Sequence, residues 1–351
     1  MAGTHTKTAI ALQGGGALGA YAFGALKYIY ESERGFRPSC ISGVSIGAFM
    51  AAIVASHPDN PLPKLGAFWD ELTVFHSSFW PAETEKYLAY FGNRAFYRPR
   101  LDLFGLPFWT NFYELSPIRE TLERYVDLKR IAQADVKLVV TATDIESGAI
   151  TEFSNDDANA PITLEHLIAS GSLPPSYPAK KVGEHWFWDG GLFDNTPLAA
   201  LLSRVDAGDA ATTRVIVVNL FPSKGKVPKT MLDVWDRMTE LQFANKTAKD
   251  VALARKINKL VAVIEGLQGT AAGAENSVMQ HPELAELAKY KVFDNIIPIA
   301  NNDPEPVSSS ADFSKASITR RADAGYRDAA IALANPPQAA ADLKQAIARL
   351  V

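Results

Sequence analysis

The sequence predicts an α/β protein: a mainly parallel central sheet sandwiched by helices, with an aromatic-rich insertion and closing C-terminal helices. Three observations predict it. Near the start, two apolar runs of strand length each lead through a glycine-bearing turn into a run with helical spacing, and successive units of that kind make parallel strands covered by helices. Further on, the strand candidates are β-branched without alternation, as strands buried on both faces are. Finally, 351 residues with 47% hydrophobic and 21% charged side chains can bury a large core, so one main domain with additions is expected.

Taken in order, Thr8 to Gln13 reads as a strand, Leu18 to Glu31 as a helix, Ser39 to Val44 as a strand and Ile46 to Ser56 as a helix. Val136 to Thr143 (VKLVVTAT) and Arg214 to Phe221 (RVIVVNLF) read as strands, with Glu146 to Gly148 turning a hairpin into AITEF. Asn195 to Ser203 reads as a helix capped by Asn195 or Thr196, with Pro197 in its first turn. Met231 to about Leu267 suggests one or two helices, QGTAAGAENS a loop, and IIPIAN from Ile296 a late strand. Phe313 to Leu333 and Ala339 to Leu350 read as closing helices, and no internal repeat is present.

Between Phe75 and Tyr113 the regular pattern fails and aromatic residues crowd, Phe79, Trp80, Phe96, Tyr97, Phe108, Trp109 and Phe112 among them. A long irregular segment inside a compact domain is often a lid or binding loop. Its rings could line an acyl pocket or meet a lipid interface, or they could pack an inserted subdomain against the sheet.

A formal net charge of −4 gives no field for nucleic acid, and no nucleic-acid partner is expected. The single cysteine, Cys40, excludes an internal disulfide framework and fits a reducing compartment; on its strand it reads as buried packing. The N-terminal MAGTHTKTAI has no apolar core of signal-peptide length, so no Sec export is expected. Val44 to Ser56 is too short to span a bilayer, where about 20 residues are needed, and reads as a buried helix. A cytoplasmic location is expected, with peripheral contact at a membrane left open.

The glycines Gly14, Gly16 and Gly19 after the first strand satisfy the G-x-G-x-x-G spacing of a dinucleotide loop. That fold also needs an acidic residue at the end of the second strand to bind the ribose. Here the second strand ends instead in GVSIG, Gly43 to Gly47, with nothing acidic in the ribose position. GVSIG between strand and helix is the context of a nucleophile elbow, with Ser45 on the sharp turn. The two glycine turns then neighbour each other at the carboxyl ends of adjacent parallel strands. Amides of Gly14, Gly15 and Gly16, with that of Ile46 at the helix start, would face the developing oxyanion, and losing one such donor costs roughly 3 to 4 kcal/mol.

A serine needs a base. A Ser, Asp, His order would leave only His281, in MQHPELAEL, after an acid near position 189, with no strand to aim it at Ser45. His185 precedes Trp186 in a strand and reads as structural. The alternative is Asp189 in WFWDGGLFDNTP, where Gly190 and Gly191 make a tight turn that can present the carboxylate; an Asx turn is the plainer role for such a residue. Asp144 and Asp194 are substitute carboxylates, and Lys180 and Lys181 read as solvated surface.

Together these pieces resemble the patatin-like phospholipase family. GGGALGAY resembles its oxyanion loop, GVSIG its nucleophile motif, DGGLFDNTP its catalytic aspartate motif, and ASGSLPPSYPAK from Ala169 its Ala-Ser-x-x-x-Pro stretch, over about residues 7 to 220. The resemblance implies a patatin-like fold and a Ser-Asp dyad lipid acyl hydrolase, with Ser45 as nucleophile, Asp189 as base, and Gly14, Gly15 and Gly16 as oxyanion donors. It implies no metal and no cofactor, and a lipid or acyl-ester substrate. Residues 1–225 are then the expected patatin-like catalytic domain, with 75–113 as its insertion or lid, and 226–351 a mostly helical extension packed on the same core. An unperturbed aspartate is about three pH units too weak a base for neutral pH, so burial beneath the aromatic segment is expected to raise its pKa. The rival readings are a nucleotide-binding oxidoreductase and a lipid- or granule-surface binding protein that is silent or transfers acyl groups. Head group, acyl length and oligomeric state are open.

Overall fold

The computed structural model describes residues 7–74, 92–102, 107–157, 160–222, 225–244, 246–268, 287, 291, 293, 295–301 and 310–334. Its centre is an eight-stranded sheet built from β1 (Thr8–Leu12), β2 (Cys40–Gly43), β5 (Lys137–Asp144), β6 (Ile150–Ser154), β7 (Lys180–Val182), β8 (His185–Asp189), β9 (Arg214–Asn219) and β10 (Asn295–Ala300). The order is β10-β9-β1-β2-β5-β8-β7, with β6 also on β5. The five strands from β10 to β5 run parallel, and β6, β7 and β8 are antiparallel additions. A two-stranded ribbon, β3 (Arg98–Pro99) with β4 (Tyr113–Glu114), stands apart.

Period-two alternation sends each strand's side chains to opposite faces, and both faces are covered. Ile10, Leu12, Ile41, Leu138, Val140, Ile216 and Val218 point to one layer, where they meet α1 (Ala20–Ser32), α2 (Ile46–Ser56), α3 (Leu62–Leu72), α4 (Ser116–Tyr125), α6 (Leu164–Ser170) and α10 (Lys315–Ala334). Ala9, Ala11, Cys40, Val139, Val215 and Val217 point to the other, against α7 (Leu198–Arg204) and α9 (Lys246–Gln268). The short α5 (Leu128–Ala132) is capped by the Asp127 side chain, and α8 (Met231–Ala244) precedes α9. Every residue of α2 is buried, so the apolar stretch after the elbow is a core helix. Among the described residues no helix is long and apolar enough to cross a membrane.

Two elements differ from expectation. The first helix does not start at Leu18: a 3-10 turn covers Gly16–Gly19 and α1 begins at Ala20, because Gly16 has φ 56° and breaks helical geometry. Asn195 and Thr196 do not cap α7, which begins at Leu198, because both side chains bond across the fold to the first glycine turn. The expected QGTAAGAENS loop beyond Gln268, the helix over 339–350, and residues 75–91 and 103–106 of the aromatic segment lie outside the described residues.

Candidate active site

β2 ends at Gly43, the chain turns at Val44 and Ser45, and α2 starts at Ile46. Ser45 has φ 55° and ψ −128°, the one non-glycine residue with left-handed φ among those described. Such a backbone costs on the order of 1–3 kcal/mol and persists only where its surroundings fix it. They do so in two ways here. A Cβ on Gly47 would stand 2.5 Å from the Leu12 carbonyl oxygen, so the turn closes against β1 only with glycine there. The Ser45 N–H donates to Oγ of Ser170, a fully buried residue at the end of α6, at 2.9 Å. The half-buried Ser45 side chain thus stands above the sheet, beside the Ile46 amide, which has no hydrogen bond among the described residues.

The first glycine turn lies against this elbow: a Cβ on Gly14 would be 3.0 Å from that of Ser45. The amides of Gly15 and Gly16 make no hydrogen bond among the described residues. Gly14 is different. Its N–H donates to the Asn195 carbonyl at 3.3 Å, whereas the amides of Gly15, Gly16 and Ile46 have no partner among the described residues. Behind the turn the fully buried Gln13 donates to Thr196 Oγ1 at 2.9 Å and to the Phe243 carbonyl at 3.0 Å, and accepts from the amides of Leu220 and Phe221. One side chain thereby joins β1, the loop before α7, the end of β9 and α8.

Sheet register brings the aspartate to the serine. β6 occupies one edge of β5 from Val139 to Thr143, so β2 and β8, which pair with overlapping parts of that stretch, share the other edge. Gly43 sits opposite Val140 and Asp189 opposite Ala142, two positions apart, so the antiparallel β8 meets the end of β2 head-on. Asp189 is 2% exposed, and its backbone is pinned by Asp189 N–H to the Ser172 carbonyl at 3.0 Å and by Thr143 Oγ1 to the Asp189 carbonyl at 3.1 Å. Burial pushes its carboxyl up to about 7; the Gly191 N–H on Oδ1 at 2.7 Å and, more weakly, the Ser45 hydroxyl pull the other way. Asp189 is therefore both an Asx-turn residue and the carboxylate that faces Ser45.

The ring of Tyr177 is close enough for its hydroxyl, held well above its usual range by burial, to feel the Tyr97, Tyr113 and Asp189 charges. Tyr177 packs with Phe96, Tyr97 and Tyr113, so the aromatic segment does contribute packing beside the aspartate. The segment divides: Phe96 and Tyr97 are buried, whereas Leu101, Phe108 and Phe112 are exposed.

Other candidates are engaged elsewhere. Asp144 accepts from the amides of Glu146 and Ser147 and pairs with Nδ1 of His185 at 3.0 Å, and His185 is the exposed first residue of β8. Asp194 accepts from the Thr196 amide. Burial pushes the Cys40 thiol up to about 12, leaving it unreactive. His281 lies outside the described residues. No group of three or more His, Cys, Asp or Glu side chains among the described residues could hold a metal ion.

The family model described as patatin-like phospholipase matches residues 10–202. The chain belongs to the patatin-like phospholipase family. A second model, described as patatin phospholipase, matches residues 241–344, a stretch in which sequence reading found no anchor. Among solved structures, that of VipD from Legionella pneumophila is similar over 94% of this chain and 67% of that one, at 14% identity and a TM-score of 0.44. No curated protein matches. Membership supports lipid acyl hydrolysis as the general activity of this patatin-like chain.

Proposed function

We propose that this patatin-like protein is a serine esterase that cleaves carboxylic esters of lipids, phospholipids included, through a Ser45–Asp189 dyad and an acyl-enzyme. The observation that carries the reading is a fully buried carboxyl, titrating near 7, that faces the Ser45 hydroxyl across the end of the sheet. Ionised Asp189 accepts the proton of Ser45 Oγ as that oxygen bonds to the acyl carbon, and the amides of Gly15, Gly16 and Ile46 receive the carbonyl oxygen as it becomes negative. The carboxylic acid then protonates the departing alcohol. Water attacks the acyl-enzyme by the same route, giving a fatty acid and the free serine. A base near pH 7 removes most of the roughly 4 kcal/mol deficit that an ordinary aspartate would carry.

Peripheral contact with lipid is part of the proposal, supported by the exposed Leu101, Phe108 and Phe112 on the stretch joined by β3 and β4. Arg98 there pairs with Glu114 and Arg100 with Asp102, which suits a neutral rather than an anionic surface. Flotation with phosphatidylcholine vesicles tests it, and protein left in the pellet at every lipid concentration rejects it. The test of the dyad is intact-mass labelling with a fluorophosphonate beside hydrolysis of p-nitrophenyl butyrate. Stoichiometric labelling and turnover are expected, both lost in Ser45→Ala. A folded wild type that neither labels nor turns over would favour a silent binding protein.

A further inference from the structure

Asn195 holds Gly14 of the first glycine turn from both sides, one bond on each of the two peptide groups that flank it. Its carbonyl accepts from the Gly14 N–H at 3.3 Å, and its side-chain Nδ2 donates to the Gly14 carbonyl at 3.1 Å. The second bond matters for chemistry. In a trans peptide the C=O of one residue and the N–H of the next lie in one plane and point in opposite directions. Holding the Gly14 carbonyl toward Asn195 therefore aims the Gly15 N–H the opposite way within that plane, away from Asn195, and this is one of the amides with no partner among the described residues. Room for the clamp comes from two glycines: an added Cβ would stand 2.7 Å from Asn195 Oδ1 on Gly14 and 2.6 Å from it on Gly191. Asn195 is 6% exposed and six residues past Asp189, on the turn that carries the base.

We infer that Asn195 is the positioning residue that sets the oxyanion hole, fixing the Gly14–Gly15 peptide so that the Gly15 amide faces the reacting carbonyl oxygen and locking that turn to the aspartate turn. The inference rests on the esterase reading. Without the Nδ2 donor, the Gly14–Gly15 peptide can rotate, withdrawing the amide and bringing a carbonyl oxygen toward the place where negative charge develops. A clamp of this kind acts on the tetrahedral state and leaves the binding of an acyl chain alone.

Asn195→Asp keeps the size and removes the donor; Asn195→Ala removes it without adding charge. For both variants, compared with wild type, kcat/KM for p-nitrophenyl butyrate is expected to fall on the order of 100-fold. The inhibition constant of octylboronic acid, which forms an anionic tetrahedral adduct on serine, should rise by a similar factor, while that of 1-octanol, which cannot, stays within twofold. Melting curves report folding. A variant that hydrolyses ester like wild type, or that loses affinity for octanol as much as for the boronic acid, overturns the inference while the esterase reading stands. An inert wild type overturns the reading and the inference together; failure of Asn195→Asp to fold leaves Asn195→Ala to decide.

Discussion

Burial of Asp189 affects chemistry and stability with opposite signs. The folded carboxyl titrates near 7 against about 4 for an ordinary aspartate, so the native state holds a proton that the unfolded chain releases between those values. Its contribution to stability is thus fully present below about pH 4 and is lost as pH rises through 7, a cost on the order of 4 kcal/mol at pH 8. In the proposed mechanism the ionised form is the base, so kcat/KM should climb through about pH 7 and level off above it. Asp189→Asn should be inactive yet melt above wild type at pH 8, with the difference shrinking toward pH 4. An acidic limb near pH 4, or a variant that melts lower at pH 8, would contradict this account of the base. Ser45 and Asp189, the residues of the proposed dyad, stand out in the sequence because sharp turns force glycines beside them. Asn195 and Ser170 fall inside motifs the sequence shows, but their bonds do not, since their partners lie 181 and 125 residues away and no local pattern records such a bond.

Elements were legible in proportion to the length and contrast of their pattern. The parallel strands stood out because burial on both faces leaves uninterrupted apolar runs, and α2 because all of it is core. The seven-residue α6 is too short for a periodic signal, yet it carries the Ser170 that braces the elbow. The closing helix α10 was visible as a helix but not in its purpose, which is to lie against α1 at close range. A Cβ on Gly325 would be 1.9 Å from the Tyr21 carbonyl oxygen, and one on Gly24 1.8 Å from that of Ala322. Tyr21 also donates to Asp328 at 2.7 Å across the same seam. Gly325→Ala must push the helices apart, at a cost of roughly 1–3 kcal/mol. A melting temperature lowered by several degrees is expected, checked by calorimetry, and an unchanged one would mean that the seam yields freely.

At the scale of the whole molecule, the division at residue 225 is one of sequence pattern, and we propose that it is not one of folding. β10 pairs along all six residues of β9 and covers its outer side, itself forming the edge of the sheet. Phe313 stacks on Trp69, and Gln13, beside the first glycine turn, holds the carbonyl of Phe243. Removing 226–351 would therefore bare an apolar face of α1, open an edge strand and leave the Gln13 amide short of one acceptor. Each loss falls on a layer shared with residues 1–225, so the full chain should unfold in one transition and the 1–225 fragment should not fold. The check is fluorophosphonate labelling and a melting curve on both chains. A fragment that melts cooperatively and labels like the full protein would show that the last third only decorates a self-sufficient enzyme. An insoluble or molten fragment would mean that the first glycine turn depends on both ends of the chain.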